Sequence, residues 1–140
     1  MTAYMPQAKS IEWETPQDLF DKLDAEFHFT LDVCAKPENA KCERYFTIKE
    51  NGLTQKWEGS CWMNPPYGTA INHWVQKAYI SAIHGVTTVA LLPVRSDTRW
   101  FHDFIYHKHE IRCLKGRLKF GNGKQSSTFP SMIVIFRGKQ

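Results

Sequence analysis

The chain has no long apolar run, no repeat and no low-complexity segment, and none of its four cysteines is spaced two residues from another. Each absence excludes something. No stretch reaches the roughly 20 apolar residues of a membrane-spanning helix, and no charged-then-apolar leader opens the chain. The expectation is a protein that stays where it is made, in the cytoplasm, with no membrane partner. Cys34, Cys42, Cys61 and Cys113 fit neither a zinc ribbon nor a disulfide framework and read as reduced, mostly buried thiols. His107-x-His109-x3-Cys113 matches no usual ligand spacing, so no metal is expected. At 140 residues there is room for one core and no second module. The organisation expected is a loosely ordered segment, residues 1–12, followed by a single domain over 13–140.

Charge is unevenly spread. Residues 1–85 hold 8 Lys/Arg against 11 Asp/Glu, a balance of −3, and residues 86–140 hold 10 against 3, a balance of +7; together they give the net +4. An acidic first half and a basic second half suggest two partners of opposite charge.

Apolar spacing organises the chain. Leu19, Phe20, Leu23 and Phe27 recur at helical spacing after Thr15-Pro16, with Thr15 and Asp18 placed as a capping pair, so a helix runs from Pro16 to about Glu26. A short strand over 29–33 ends in the Asp32 carboxylate. Residues 36–52 are polar and read as a loop with one helical turn around 39–44. Strands follow at 60–63, 86–94, 111–114, 117–120 and 131–136, and helices at 70–83 and 97–107. Residues 86–94 form an unbroken apolar run, the pattern of a strand buried on both faces. Trp100, Phe101, Phe104 and Ile105 read as core. Alternating strands and helices give an α/β fold with a central, mostly parallel sheet flanked by helices, whose ligands sit at the carboxyl ends of the strands. Asp32 and Asn64 both fall there.

The strand at 60–63 runs into Asn64-Pro65-Pro66-Tyr67. Read plainly, this is a turn, because Asn-Pro pairs form turns readily. In its place between a buried strand and an amphipathic helix it resembles the signature of enzymes that methylate a planar amino nitrogen. That chemistry needs two acceptors for the amine hydrogens, since the lone pair is otherwise delocalised into the ring. The Asn64 side-chain carbonyl and the Pro65 backbone carbonyl can supply them, held in place by the fixed φ of both prolines. Tyr67 offers a face on which an extruded base can stack.

The motifs around it resemble a known order. Glu14-Thr15-Pro16, the first helix, Leu31-Asp32-Val33-Cys34-Ala35, Asn51-Gly52-Leu53 and Asn64-Pro65-Pro66-Tyr67 resemble the succession in S-adenosylmethionine-dependent amino-methyltransferases. Over residues 13–136 the chain resembles the phage-type DNA N-6-adenine methyltransferase (Dam) family. Trp13-x-Thr15-Pro16, Asp32-x-Cys34-Ala35, Trp62-x-Asn64-Pro65-Pro66-Tyr67-Gly68, Leu92-Pro93 and Gly116-Arg117-x-Lys119-Phe120 are the matching points.

The resemblance implies a minimal Rossmann-like methyltransferase that moves a methyl group from S-adenosylmethionine to the exocyclic amine of a flipped-out adenine in double-stranded DNA. Thr15 and Pro16 would line the methionine end of the cofactor, Asp32, Cys34 and Ala35 its sulfonium and adenosyl wall, and Asn51 and Leu53 its adenine. Asn64, Pro65, Pro66 and Tyr67 would hold the target base. Apart from the resemblance, Arg95, Arg99, Lys115, Arg117, Lys119 and Lys124 supply the basic second half, and together they read as a surface facing DNA phosphates. A phage origin, a bacterial host cytoplasm and no obligate protein partner go with the resemblance.

Two departures stand out. No G-x-G follows the first strand, and residues 36–51 are too few for the usual second strand, whose terminal acid holds the ribose; Glu38, Asn39, Glu43 and Glu50 all stay open for that role. Two other activities fit the tetrapeptide or the fold. One is methylation of a glutamine amide in proteins, and the other is a catalytically inactive nucleic-acid-binding protein. Asp32, taken alone, also fits a strand-end cap or an ion-pair partner.

Overall fold

The computed structural model describes residues 14–120 and 125–140. Trp13, the expected loose segment 1–12 and Lys124 lie outside them. A five-stranded sheet has the order β1-β2-β3-β7-β4, formed by β1 (Leu31–Asp32), β2 (Ser60–Met63), β3 (Thr87–Pro93), β4 (Glu110–Cys113) and β7 (Ser131–Phe136). β1, β2 and β3 pair in parallel, and β7 runs antiparallel to both β3 and β4. Four of the five strands therefore point the same way, and their carboxyl ends share one edge. A separate two-stranded ladder joins β5 (Lys119–Phe120) to β6 (Gln125–Ser126).

Period-two side chains divide the core between the two faces. Trp62, Val89, Leu91, Ile133 and Ile135 face α1 (Gln17–Phe27), which inserts Phe20 and Leu23 among them. The Phe20 and Trp62 rings meet edge to face with centroids 5.4 Å apart, a favoured aromatic arrangement. Cys61, Met63, Ala90, Leu92, Met132 and Val134 face the other way, onto α2 (Ile71–Ile83) and α3 (Arg99–Phe104), through Trp74, Val75, Ala78, Trp100 and Phe101. β3 and β7, at the centre of the sheet, are the most apolar because both of their faces are covered.

α1 is fastened at its far end, opposite the strand-end edge. Arg112 makes a two-pronged contact with Glu26, at 2.8 Å for each nitrogen, and also bonds Glu110, which pairs with Arg137. Both guanidinium groups lie over the Phe27 ring, at 5.7 and 5.6 Å.

Three expectations are corrected. Residues 39–44 form turns and bends, not a helical turn. Their backbone is instead drawn to β1: Asp32 N donates to Arg44 O, Phe46 N to Asp32 O and Ala35 N to Phe46 O, each at 3.0 Å, around a parallel bridge between Asp32 and Tyr45. The second strand that the segment seemed too short to hold is present as this single bridge. The helix expected over 97–107 is only Arg99–Phe104, because Ile105 leaves helical geometry and His107 takes a positive φ of 61°. Thr15 does not cap α1: the cap is Pro16, with no side-chain hydrogen bond. The Thr15 hydroxyl is engaged elsewhere.

Candidate active site

At the shared edge, β1 ends in Asp32 and β2 runs into Asn64. Between them opens a cavity of about 380 Å³. Thr15, Asp32, Cys34, Ala35 and Asn51, singled out in the sequence, lie on its wall, as do Asn64, Pro65 and Pro66. Pro16 and Leu53 are absent from that wall. Pro16 starts α1, while Leu53 packs on the core behind and its carbonyl accepts from Lys77 Nζ at 3.1 Å.

Asp32 is 2% exposed. Its two carboxylate oxygens accept from Cys34 N at 3.3 Å and Lys41 N at 3.0 Å. Burial raises its carboxyl to about 6, against the lowering pull of those two N–H groups and of the Lys41 charge. One carboxylate thus ties the loop after β1 to the cavity floor and holds a charge that would gain from a cation. Burial pushes the thiols of Cys34, Cys42 and Cys61 up to about 12, so they stay neutral and none offers a thiolate nucleophile. Of the four, Cys61 is buried, Cys34 and Cys42 are half-buried and Cys113 is exposed, with no disulfide among the described residues.

Asn64 Nδ2 donates to Thr15 Oγ1 at 3.0 Å, joining the start of α1 to the end of β2. Tyr67 turns its hydroxyl inward to Leu91 O at 3.2 Å, and burial holds the phenol above its usual value, hence neutral. Its ring meets Phe129 edge to face, with centroids 5.6 Å apart. Tyr67 is not on the first cavity; it walls a second one of about 470 Å³ with Asn72, Pro93, Arg95, Thr98 and Trp100. Trp100, read as core, is buried and still borders that space.

The basic residues fall into two groups along the chain. Arg95 and Arg99 are exposed on the connection after β3 and at the start of α3. Lys115, Arg117 and Lys119 are exposed beyond the end of β4, which leaves the sheet at the same edge. None of the five takes part in a salt bridge among the described residues.

Sequence reading missed several wall residues. Phe46, Thr47 and Ile48 line the first cavity, Ile48 while 87% exposed, and the buried Trp74 of α2 lines it too. An isoleucine inside a polar loop was the signal available. Of the four candidates for the ribose, only Asn39 is on the wall; Glu50 accepts from Thr47 N and Oγ1 instead. Gly52 explains part of Asn51-Gly52-Leu53. A Cβ on Gly52 would overlap the Val33 carbonyl oxygen and press within 3.0 Å of the Trp74 ring. Gly52→Ala is expected to destabilise the protein by about 2–3 kcal/mol through such overpacking, read as a lower midpoint in urea.

The family model described as "DNA N-6-adenine-methyltransferase (Dam)" matches residues 3–140. The chain is similar to the DNA N-6-adenine-methyltransferase of Haemophilus phage HP1 (strain HP1c1), 33% identical over 136 residues that cover 91% of this chain and 79% of that one. It is also similar to the DNA N-6-adenine-methyltransferase of Escherichia phage T1, 30% identical over 116 residues, 81% of this chain and 48% of the longer relative.

Proposed function

The chain belongs to the DNA N-6-adenine-methyltransferase (Dam) family, and from that membership we infer that it methylates the exocyclic amine of adenine in DNA. The observation that carries the reading to particular atoms is the meeting of a buried carboxylate, a fixed amide and a proline carbonyl at one sheet edge, with exposed cations further along that edge, after β3 and β4. The methyl donor of the proposal is S-adenosylmethionine.

The first cavity suits that donor. Its volume is in the range of small-molecule sites, its wall mixes the Trp74 and Phe46 rings with polar side chains such as Thr15, Asn39 and Asn51, and its floor carries Asp32. A carboxylate that burial has raised to about 6 becomes easier to ionise beside a positive charge, which a sulfonium or a methionine ammonium brings. S-adenosylmethionine supplies an electrophilic methyl group on its sulfonium sulfur. The residues of this chain do the rest. Thr15, Asp32, Cys34, Ala35 and Asn51 border the cofactor. Asn64 Oδ1 and the Pro65 carbonyl oxygen accept the two hydrogens of the target amine and localise its lone pair. The two prolines keep those acceptors in place without help from the substrate. The amine sheds its proton after transfer, so no side chain with a base's pKa is called for.

Tyr67 stacks on the extruded base, and the second cavity beside it gives that base and its neighbours room. Double-stranded DNA lies across the edge. Arg95 and Arg99 meet its phosphates from the side of α3, and Lys115, Arg117 and Lys119 from the side of β4. Cations flanking the edge favour DNA over a peptide amide. The protein works in the cytoplasm of a bacterial host; among the described residues no helix is long and apolar enough to cross a membrane.

The test is methyl transfer from labelled S-adenosylmethionine to mixed-sequence DNA, followed by nucleoside analysis. Label in N-6-methyladenine, with DNA retention falling steeply as salt rises, is the expected result. Label in protein glutamine, or retention of DNA without transfer, would replace this reading.

A further inference from the structure

Asparagine amides carry a donor end and an acceptor end of nearly the same shape, so a half-turn exchanges their roles. An asparagine at a turn commonly settles this locally, its Oδ1 accepting from the backbone N–H two residues on. Asn64 has no such option. Residues 65 and 66 are both proline, and neither has an N–H. The two prolines that fix the backbone acceptor therefore deprive the side-chain acceptor of its nearest anchor, and its orientation has to come from elsewhere in the fold.

We propose that Thr15 is the positioning residue that fastens the Asn64 amide by its NH₂ end, the arrangement in which the oxygen serves the target amine. Thr15 Oγ1 accepts from Asn64 Nδ2 at 3.0 Å across 49 positions of sequence. The hydroxyl is free for this because α1 is capped by Pro16 without a side-chain bond. Thr15 is 5% exposed, so water cannot readily stand in for it. It also lies on the wall of the first cavity, which gives it a place beside the donor and a second role in holding the acceptor. A reversed amide would set two donors against each other at the amine.

The proposal rests on the methyltransferase reading, and the two fail in different ways. Thr15→Val keeps the side chain's shape and removes the hydroxyl, while Thr15→Ser keeps the hydroxyl. Steady-state transfer with the full chain is compared with calorimetric binding of S-adenosylhomocysteine. With donor and DNA both saturating, Thr15→Val is expected to lose about 10- to 100-fold in kcat, the scale of a misplaced reacting group, over and above any change in affinity for S-adenosylhomocysteine, with KM for DNA changed by less than about threefold. Thr15→Ser is expected to recover most of that kcat. The side-chain ¹⁵N resonance of Asn64 should move in Thr15→Val and stay near its place in Thr15→Ser.

A Thr15→Val chain with undiminished kcat, or one whose loss lies wholly in cofactor affinity, overturns the positioning role and leaves the activity standing. So does a folded Thr15→Ser chain as impaired as Thr15→Val. A parent chain that transfers no methyl group removes the methyltransferase reading and this proposal together. All three chains are compared at a temperature below the melting midpoint of Thr15→Val, so that lost folding and lost positioning are read apart.

Discussion

Asn64→Ala lowers methyl transfer to DNA by about 10²- to 10³-fold or more, while retention of DNA at low salt stays close to that of the parent. The size follows from what is removed. A fixed polar group aimed at the reacting atoms contributes on this scale in water-poor sites, and Asn64 supplies one of only two acceptors in the proposed geometry. Its backbone neighbour, the Pro65 carbonyl, remains and sets the residual rate. The fold should hold, because the side chain is only partly buried and the packed parts of the turn are prolines. Single-turnover transfer with donor and DNA both saturating is the measurement, with thermal melting as the control. A variant within tenfold of the parent would take Asn64 out of the chemistry.

The second large effect concerns pH. Asp32 has its folded carboxyl raised from 3.8 to about 6 by burial, so below about pH 6 the ligand-free protein favours the protonated form. A cationic ligand favours the charged form. Binding of S-adenosylmethionine below about pH 6 therefore requires a proton to leave, and the affinity should fall by up to about tenfold per pH unit there and level off above. Asp32→Asn should bind more weakly at pH 7 and show a much flatter profile between pH 5 and 7. Calorimetry across that range reads both, and a parent profile flat to pH 5 would detach Asp32 from the cofactor.

The sign for stability is opposite. A raised carboxyl contributes stability that is full below 3.8 and is lost as pH rises through about 6. Lowering the pH from 7 to 5 should therefore return on the order of 1 kcal/mol to the empty protein from this group. His109, whose half-buried ring is held below its usual 6.5, pulls the other way in the same window. Glu26, Glu50 and Glu110 have carboxyls held below 4.5 and lose their contributions only at lower pH. The Asp32 part is thus the difference between the parent and Asp32→Asn.

Much of the sheet was legible in the sequence because its strands are buried on both faces. Unbroken apolar runs such as 87–93 and 131–136 leave little choice of structure, and prolines mark where β2 must stop. The site was legible where residue type carries chemistry, in Asn64-Pro65-Pro66-Tyr67 and in Asp32 at a strand end. What escaped has a common cause. The bridge at Tyr45 rests on backbone hydrogen bonds, which residue type does not announce, and β6 pairs over two residues only. Thr15 looked like a cap because its position suited one; a tertiary partner 49 residues on overrode the local rule. Ile48 and Trp74 look like any apolar residues until the fold brings them to one wall.

The loop that follows β1 has no helix or full strand to hold it; the bridge at Tyr45, the bond from Ala35 N to Phe46 O, the tie from Lys41 Nζ to Gln17 and the two backbone N–H groups that Asp32 receives keep it in place. The charge that fastens this wall is the same charge the ligand would meet, so architecture and recognition draw on a single carboxylate. On the proposed reading, a donor seated in the first cavity would complete this frame, and amide hydrogens between Cys34 and Phe46 should slow their exchange with solvent once S-adenosylmethionine is bound.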